Sequence, residues 1–213
     1  MKIFHIVEEV SQKNNSIVSV VKILLKYENN KESKIIIPNT NNSSRQSYKN
    51  IKQIKIFKNL IKYKSEIQDF LIKTKPDIIH IHGLWRPIHI LFIYVSSQLN
   101  IPLIIQPHGM LLDEAIKAKS KFNYLIKLFI IKIYKQLLTS AIFIAVTDEE
   151  KKSILKYFRT KNVEVITNPF ETTFKVQKQL KKNISYFGRY SPHKNLDLII
   201  KSFLESKLGK DWK

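Results

Sequence analysis

Short apolar runs rich in Ile and Val recur along this chain, most of them followed by a longer stretch with the 3.6-residue periodicity of a helix. The runs lie at 2–7, 34–38, 51–57, 77–81, 102–106, 141–146, 163–166 and 184–187. The helical patterns lie at 16–27, 60–73, 87–99, 121–138, 148–158 and 196–206. Runs such as Ile78-Ile79 and Ile142-Phe143-Ile144 lack the polar–apolar alternation of a half-exposed strand, so they read as strands buried on both faces. Strands of that kind alternating with helices predict an α/β fold, a Rossmann-like doubly wound parallel sheet.

Composition narrows the chemistry. There is no Cys among 213 residues, which excludes a disulfide scaffold, a thiolate metal site and a Cys nucleophile. Neither an HExxH pair nor a carboxylate cluster accompanies the histidines, and no metal or other cofactor is expected. A Walker loop and a GxSxG elbow are also missing. The 37 Lys and Arg against 17 Asp and Glu give a net charge of +20. Nearly all of it is Lys scattered among Ile and Asn, the pattern an A/T-rich genome produces without any binding role. Nucleic-acid readers lean on the planar Arg fork, and here Arg occurs only at 45, 86, 159 and 189, so nucleic acid is not an expected partner.

The segment 87–112 has no Asp, Glu, Lys or Arg until its end, but Asn100, Pro102, Gln106 and Pro107 break it into a helix and a strand, too short to span a bilayer. The apolar run at 3–7 is too short for a secretory signal and is followed by Glu8-Glu9. The expected location is the cytoplasm. Two basic amphipathic segments, 51–64 and 121–138, could add peripheral attachment to an anionic inner-membrane face. The first is favoured, because the wide apolar side of the second suits packing on the sheet.

Residues 1–169 carry most of the strand–helix units. Residues 170–183 are polar and Lys-rich and read as a linker. Residues 184–213 hold one strand and one helix, which cannot bury their own apolar faces and read as the beginning of a second domain.

Ligands of open α/β sheets bind beyond the carboxyl ends of the strands. The residues that follow the predicted strands are Glu8-Glu9, His82-Gly83-Leu84-Trp85, Pro107-His108-Gly109-Met110, Thr147-Asp148 and Gly188-Arg189. His82 and His108, each followed by Gly, mark one edge as a candidate site. Thr147-Asp148 reads as a helix cap, with Glu149-Glu150 favouring the positive helix end. His5 and His80 read as packed strand residues, and His89 carries no site signal. In the second cluster, Gly188 lets the backbone approach a ligand. Arg189 and Lys194 then place two cations beside a helix N-terminus, an arrangement suited to a diphosphate.

Taken in order, the motifs MKIFHIVEEV, DIIHIHGLW, PLIIQPHGML, AIFIAVTDEEKKSI, VEVITNPF and ISYFGRYSPHKNLDLIIKSF resemble the family 4 glycosyltransferases. PHGML followed at this distance by FGRYSPHK is the most specific pairing. HGLW and PHGML are similar to members that build surface polysaccharide or lipopolysaccharide.

The resemblance implies a GT-B fold, two Rossmann-like domains facing each other across a cleft. It also implies retaining transfer of a sugar from a nucleotide-diphosphate donor to a glycan or lipid-linked acceptor. By the same resemblance His108 is the catalytic-cleft histidine that contacts the transferred sugar. Gly188, Arg189 and Lys194 bind the donor diphosphate. His82, Gly109 and Glu8 line the acceptor side, and Asn168-Pro169 is the crossing point between domains.

Three departures stand out. Asn14-Asn15-Ser16 replaces the family's Gly pair after the first strand, Pro169 replaces Gly at the crossing, and the paired-glutamate donor motif has no counterpart among the 213 residues. The expectation is a glycosyltransferase seen through its first half. The alternative is a non-catalytic acceptor- or membrane-binding module of the same descent.

Overall fold

The computed structural model describes residues 1–7, 16–28, 32–39, 51–55, 60–117, 120–158, 160–171, 182–188, 195–206 and 212. They belong to two units, 1–171 and 172–213.

In the first unit, seven strands form one sheet in the order β3-β2-β1-β4-β5-β6-β7: β1 (Ile3–Ile6), β2 (Lys34–Asn39), β3 (Ile51–Lys55), β4 (Ile78–His82), β5 (Leu103–Gln106), β6 (Ile142–Ala145) and β7 (Val163–Val165). Every neighbouring pair is parallel. The chain winds outward from β1 through β2 to β3, then returns to the other side of β1 and continues through β4 to β7. The order therefore reverses between β1 and β4, the point where such sheets bind ligands.

Helices α1 (Ser16–Tyr27), α2 (Leu60–Thr74), α3 (Pro87–Gln98), α4 (Asp113–Lys117), α5 (Lys121–Leu137) and α6 (Asp148–Phe158) connect the strands. Side chains of a strand alternate between the two faces of the sheet. Phe4 and Ile6 enter the large core with Ile79, Ile81, Ile105 and Phe143, covered by Ile67 and Leu71 of α2, Phe92 of α3, Tyr134 of α5 and Ile154 of α6. Val7 and Ile35 point the other way and pack with Val18 and Val21 of α1. His5 is on that second face, in register with His80 across the β1–β4 ladder. The Tyr134 hydroxyl donates to the Leu84 carbonyl, tying α5 to the end of β4.

One sequence expectation is corrected and one element is added. Residues 184–187 form no strand: 182–188 has irregular backbone. Among the described residues no strand pairs with it, and a β-prone run without a ladder to join stays irregular whatever its side chains prefer. Helix α4 was not foreseen, because five residues carry too little periodicity. It is held by tertiary contacts: both carboxylate oxygens of Asp113 accept from Lys156 at 2.8 Å, and one accepts from the Tyr157 hydroxyl at 2.9 Å.

In the second unit, helix α7 (Leu196–Glu205) follows Asn195, which is in the left-handed region. Its Leu198, Ile200 and Leu204 are exposed.

Candidate active site

The residues at the carboxyl ends of β4 and β5 adopt backbone that few side chains tolerate. Gly83 has φ +101°, His108 +54° and Gly109 +78°. A Cβ at Gly83 would lie 3.1 Å from the His89 ring and 3.2 Å from Met110, so glycine is required there for space as well as for φ. A left-handed non-glycine residue such as His108 costs about 1 kcal/mol and is found mainly where the surroundings hold it.

Two sets of contacts hold it. The first is Glu150, a fully buried carboxylate in the first turn of α6. One of its oxygens accepts from the Gly109 N–H at 2.5 Å and the other from the Val146 N–H at 2.8 Å. The Thr147 hydroxyl accepts from the Glu150 N–H at 3.1 Å, so Thr147 caps α6 as its sequence suggests. The sequence also places Glu150 where a capping box puts its glutamate. Here that carboxylate turns outward from its own helix and clamps the turn after β5.

The second is a line of imidazoles. Nε2 of His108 is 2.9 Å from Nδ1 of His82, and Nε2 of His82 is 3.0 Å from Nδ1 of His5. Nε2 of His5 is 2.8 Å from the Glu28 carboxylate, just past the end of α1. Strand geometry accounts for the line. His5 and His80 are in register on adjacent strands, and His82, two residues on, shares their face. His82 is itself in register with Gln106, two residues before His108. The Gln106 amide donates to Asn168 at 3.1 Å, which joins the end of β5 to the predicted crossing point.

Burial sets the charge state of the line. It pushes His82 and His80 well below the usual histidine range, with the neighbouring histidines adding to the effect. Burial alone lowers His108 to about 4. For Glu28, burial would raise the pKa, but hydrogen bonding led by His5 outweighs it, and the carboxyl lies below its ordinary value. Ligand nitrogens of His5, His80 and His82 lie within 4.8 Å of one another, a spacing one metal ion could bridge. Both nitrogens of His5 and of His82 are already engaged in hydrogen bonds, whereas Nε2 of His80 is buried without a partner among the described residues.

The structure thus brings His82, His108 and Gly109 together at the carboxyl ends of β4 and β5, and the imidazole line carries them across the switch point to His5. Glu8, Arg189 and Lys194 lie outside the described residues. Gly188 lies in the second unit and is not left-handed. A Cβ there would come 2.8 Å from the Tyr186 hydroxyl, so its value is space rather than φ. His5, Glu28 and Glu150 are site residues that sequence reasoning missed. The alternation of β1 and the TDEE cap were visible, but their partners are separated by up to 77 residues along the chain.

A parallel sheet flanked by helices, in this strand order, is a Rossmann-like fold of the GT-B type. The chain belongs to Glycosyltransferase Family 4, whose family model matches residues 27–174. No curated protein matches the chain. Among solved structures, it is similar to Alr3699/HepE from Anabaena in complex with UDP-glucose, at 13% identity and a TM-score of 0.66, covering 100% of this chain and 59% of that one. It is also similar to UDP-GlcNAc 2-epimerase from Methanocaldococcus jannaschii, at 19% identity and a TM-score of 0.52, covering 79% of this chain and 46% of that one. The UDP-GlcNAc 2-epimerase from Neisseria meningitidis bound to UDP-GlcNAc matches at 17% identity and a TM-score of 0.52, covering 78% and 45%. The chain therefore spans roughly half the length of these proteins.

Proposed function

We propose that this chain forms the acceptor-side part of a retaining glycosyltransferase. Its reaction moves a sugar from a nucleotide-diphosphate sugar to a hydroxyl of a glycan or lipid-linked acceptor in surface polysaccharide or lipopolysaccharide synthesis. The observation that carries this reading is the turn after β5, whose His108 and Gly109 are left-handed and whose His108 ring reaches His82 at the end of β4, inside a family match. Such a turn, clamped by Glu150, presents a neutral histidine with little freedom to reorganise.

In this reading His108 contacts the transferred sugar, while His82, Gly109 and Glu8 belong to the acceptor side. Gly188, Arg189 and Lys194 hold the donor diphosphate, and the two cations stabilise the charge that builds on the departing nucleotide diphosphate as the glycosidic bond breaks. The bound UDP-sugars of two of the similar structures agree with a nucleotide-sugar donor.

Attachment to an anionic membrane is part of the same reading, with the contact reassigned. The segment 51–64 does not form one helix: Ile51–Lys55 is strand β3. Helix α5 is the better surface. Its Ile131 and Tyr134 are buried, but Phe122 (72%), Leu125, Ile126 and Phe129 (64%) are exposed, with Lys121, Lys132 and Lys135 also exposed. An amphipathic helix of this kind seats its apolar side at the headgroup boundary while its Lys meet anionic lipid. Among the described residues no helix is long and apolar enough to cross a membrane.

The test is a transfer assay with the chain joined to the donor domain of a family member, using a panel of nucleotide sugars and lipid-linked acceptors. Transfer that falls at least 100-fold in His108→Ala, with the fold intact, supports the reading. Unchanged turnover removes His108 from the reaction.

A further inference from the structure

We infer that Glu28, His5 and His82 form a positioning chain that fixes the tautomer of His108, so that its Nδ1 is a hydrogen-bond acceptor for a ligand hydroxyl.

The argument follows the protons. The Glu28 carboxylate can only accept, so the His5 Nε2–H donates to it across 2.8 Å. With one proton per ring, Nδ1 of His5 carries a lone pair and accepts from the His82 Nε2–H at 3.0 Å. Nδ1 of His82 is then a lone pair as well and accepts from the His108 Nε2–H at 2.9 Å. Each ring's tautomer is dictated by the one before it. The sequence of donors ends at His108, whose second nitrogen, Nδ1, is left with a lone pair and no partner among the described residues.

The surroundings keep water out of the chain. His5 and His82 are 1% and 0% exposed, so water does not compete for their nitrogens. Their rings stack at 5.3 Å between centroids, and the His82 and His108 rings at 5.2 Å. Two buried histidines and a half-covered glutamate are thus committed to the state of one ring at the edge of the sheet. Cores that need only volume use apolar side chains at such positions.

An acceptor nitrogen suits a hydroxyl donor, and a sugar is a surface of hydroxyls. That assignment of ligand rests on the function proposed above. The tautomer itself does not, and it can be measured without any ligand.

The experiment is long-range 15N–1H correlation of the histidine rings in the full 213-residue chain near neutral pH. His5, His82 and His108 are each expected as Nε2–H, with Nδ1 of His108 resonating at the unprotonated position. In Glu28→Gln, whose amide can donate as well as accept, the Nδ1 signal of His108 is expected to shift toward the protonated position as the ring becomes a mixture of tautomers. Finding His108 as Nδ1–H in the wild-type chain overturns the proposal, because the donors would then run the opposite way from a doubly protonated His5. An unshifted His108 in a folded Glu28→Gln chain also overturns it. Should that variant not fold, the wild-type tautomers alone decide. A sugar ligand that leaves His108 untouched would count against the proposed function and not against the chain.

Discussion

The carboxylate of Glu150 and the backbone N–H of Gly109 meet at 2.5 Å although 41 residues separate them. This bond joins the first turn of α6 to the left-handed turn after β5, and the same carboxylate accepts from Val146. Removing it strands two backbone donors in a buried place. Glu150→Ala is expected to destabilise the chain by about 3–5 kcal/mol, given ~1–3 kcal/mol for each unsatisfied buried group and more for groups that bonded a charge. Glu150→Gln keeps only one accepting oxygen and should fall between. Urea denaturation gives the comparison, and a loss under 1 kcal/mol for Glu150→Ala would show that the turn does not depend on the clamp.

Gly109→Ala and Gly83→Ala separate two causes. Both positions are left-handed, but a Cβ at Gly109 meets only Leu112 at 3.7 Å, whereas one at Gly83 meets His89 and Met110 at 3.1 and 3.2 Å. The alanine at 109 should cost about 1–2 kcal/mol for φ alone. The alanine at 83 should cost more, because the buried His89 ring must also move. Equal losses in denaturant midpoint would mean that packing at Gly83 contributes nothing.

Much of this fold was legible in the sequence. The first seven predicted strands and six of the helices occur where the alternation put them, since a parallel sheet covered by helices leaves its period in the chain itself. The run at 184–187 shows the limit: β propensity is a preference for a neighbouring strand, and among the described residues none pairs with it. The histidines show another. Singly, His5 and His80 read as core, and they are buried as that reading holds. Their meaning comes from the register of β1 on β4, which sets His5 beside His80 and within reach of His82. The partners of Glu28 and Glu150 were hidden for the same reason, since a partner far along the chain leaves no mark in a carboxylate's own neighbourhood.

The buried histidines make stability depend on pH. His82, His80 and His108 bind protons more weakly in the folded chain than in the unfolded one, where the ordinary value is 6.5. Between the folded and unfolded values the unfolded chain holds more protons, so stability rises with pH in that interval and is lost as pH falls. For His108 the interval runs from 6.5 down to about 4. Glu28, held below its ordinary 4.5, adds loss in the same direction at lower pH. The thermal midpoint is expected to be steady above pH 7 and to drop steeply between pH 6.5 and 4. A flat profile across that range would mean that the rings are not neutral in the fold.

Helix α5 predicts a lipid dependence. Each Lys near an anionic surface contributes about 1 kcal/mol, so weak, salt-sensitive attachment is the expected outcome for Lys121, Lys132 and Lys135 together. Cosedimentation should be stronger with anionic than with neutral vesicles and should fall in a Phe122→Ser, Phe129→Ser double variant, whose side chains are exposed and whose loss should leave stability nearly unchanged. Equal binding to both vesicle types, or none at low salt, would leave codon bias as the explanation of the charge.

The central claim is that His108 meets the sugar of a nucleotide sugar. Its most direct test is to follow the ring signals of His108 while the chain, joined to the donor domain of a family member, is titrated with UDP-glucose, UDP-GlcNAc and other nucleotide sugars, each beside its sugar-free nucleotide. The account predicts that at least one nucleotide sugar shifts the His108 ring while its free nucleotide does not, and that Glu150→Gln weakens the response. A ring that answers nucleotide and nucleotide sugar alike, or none of them at millimolar concentration, would contradict it.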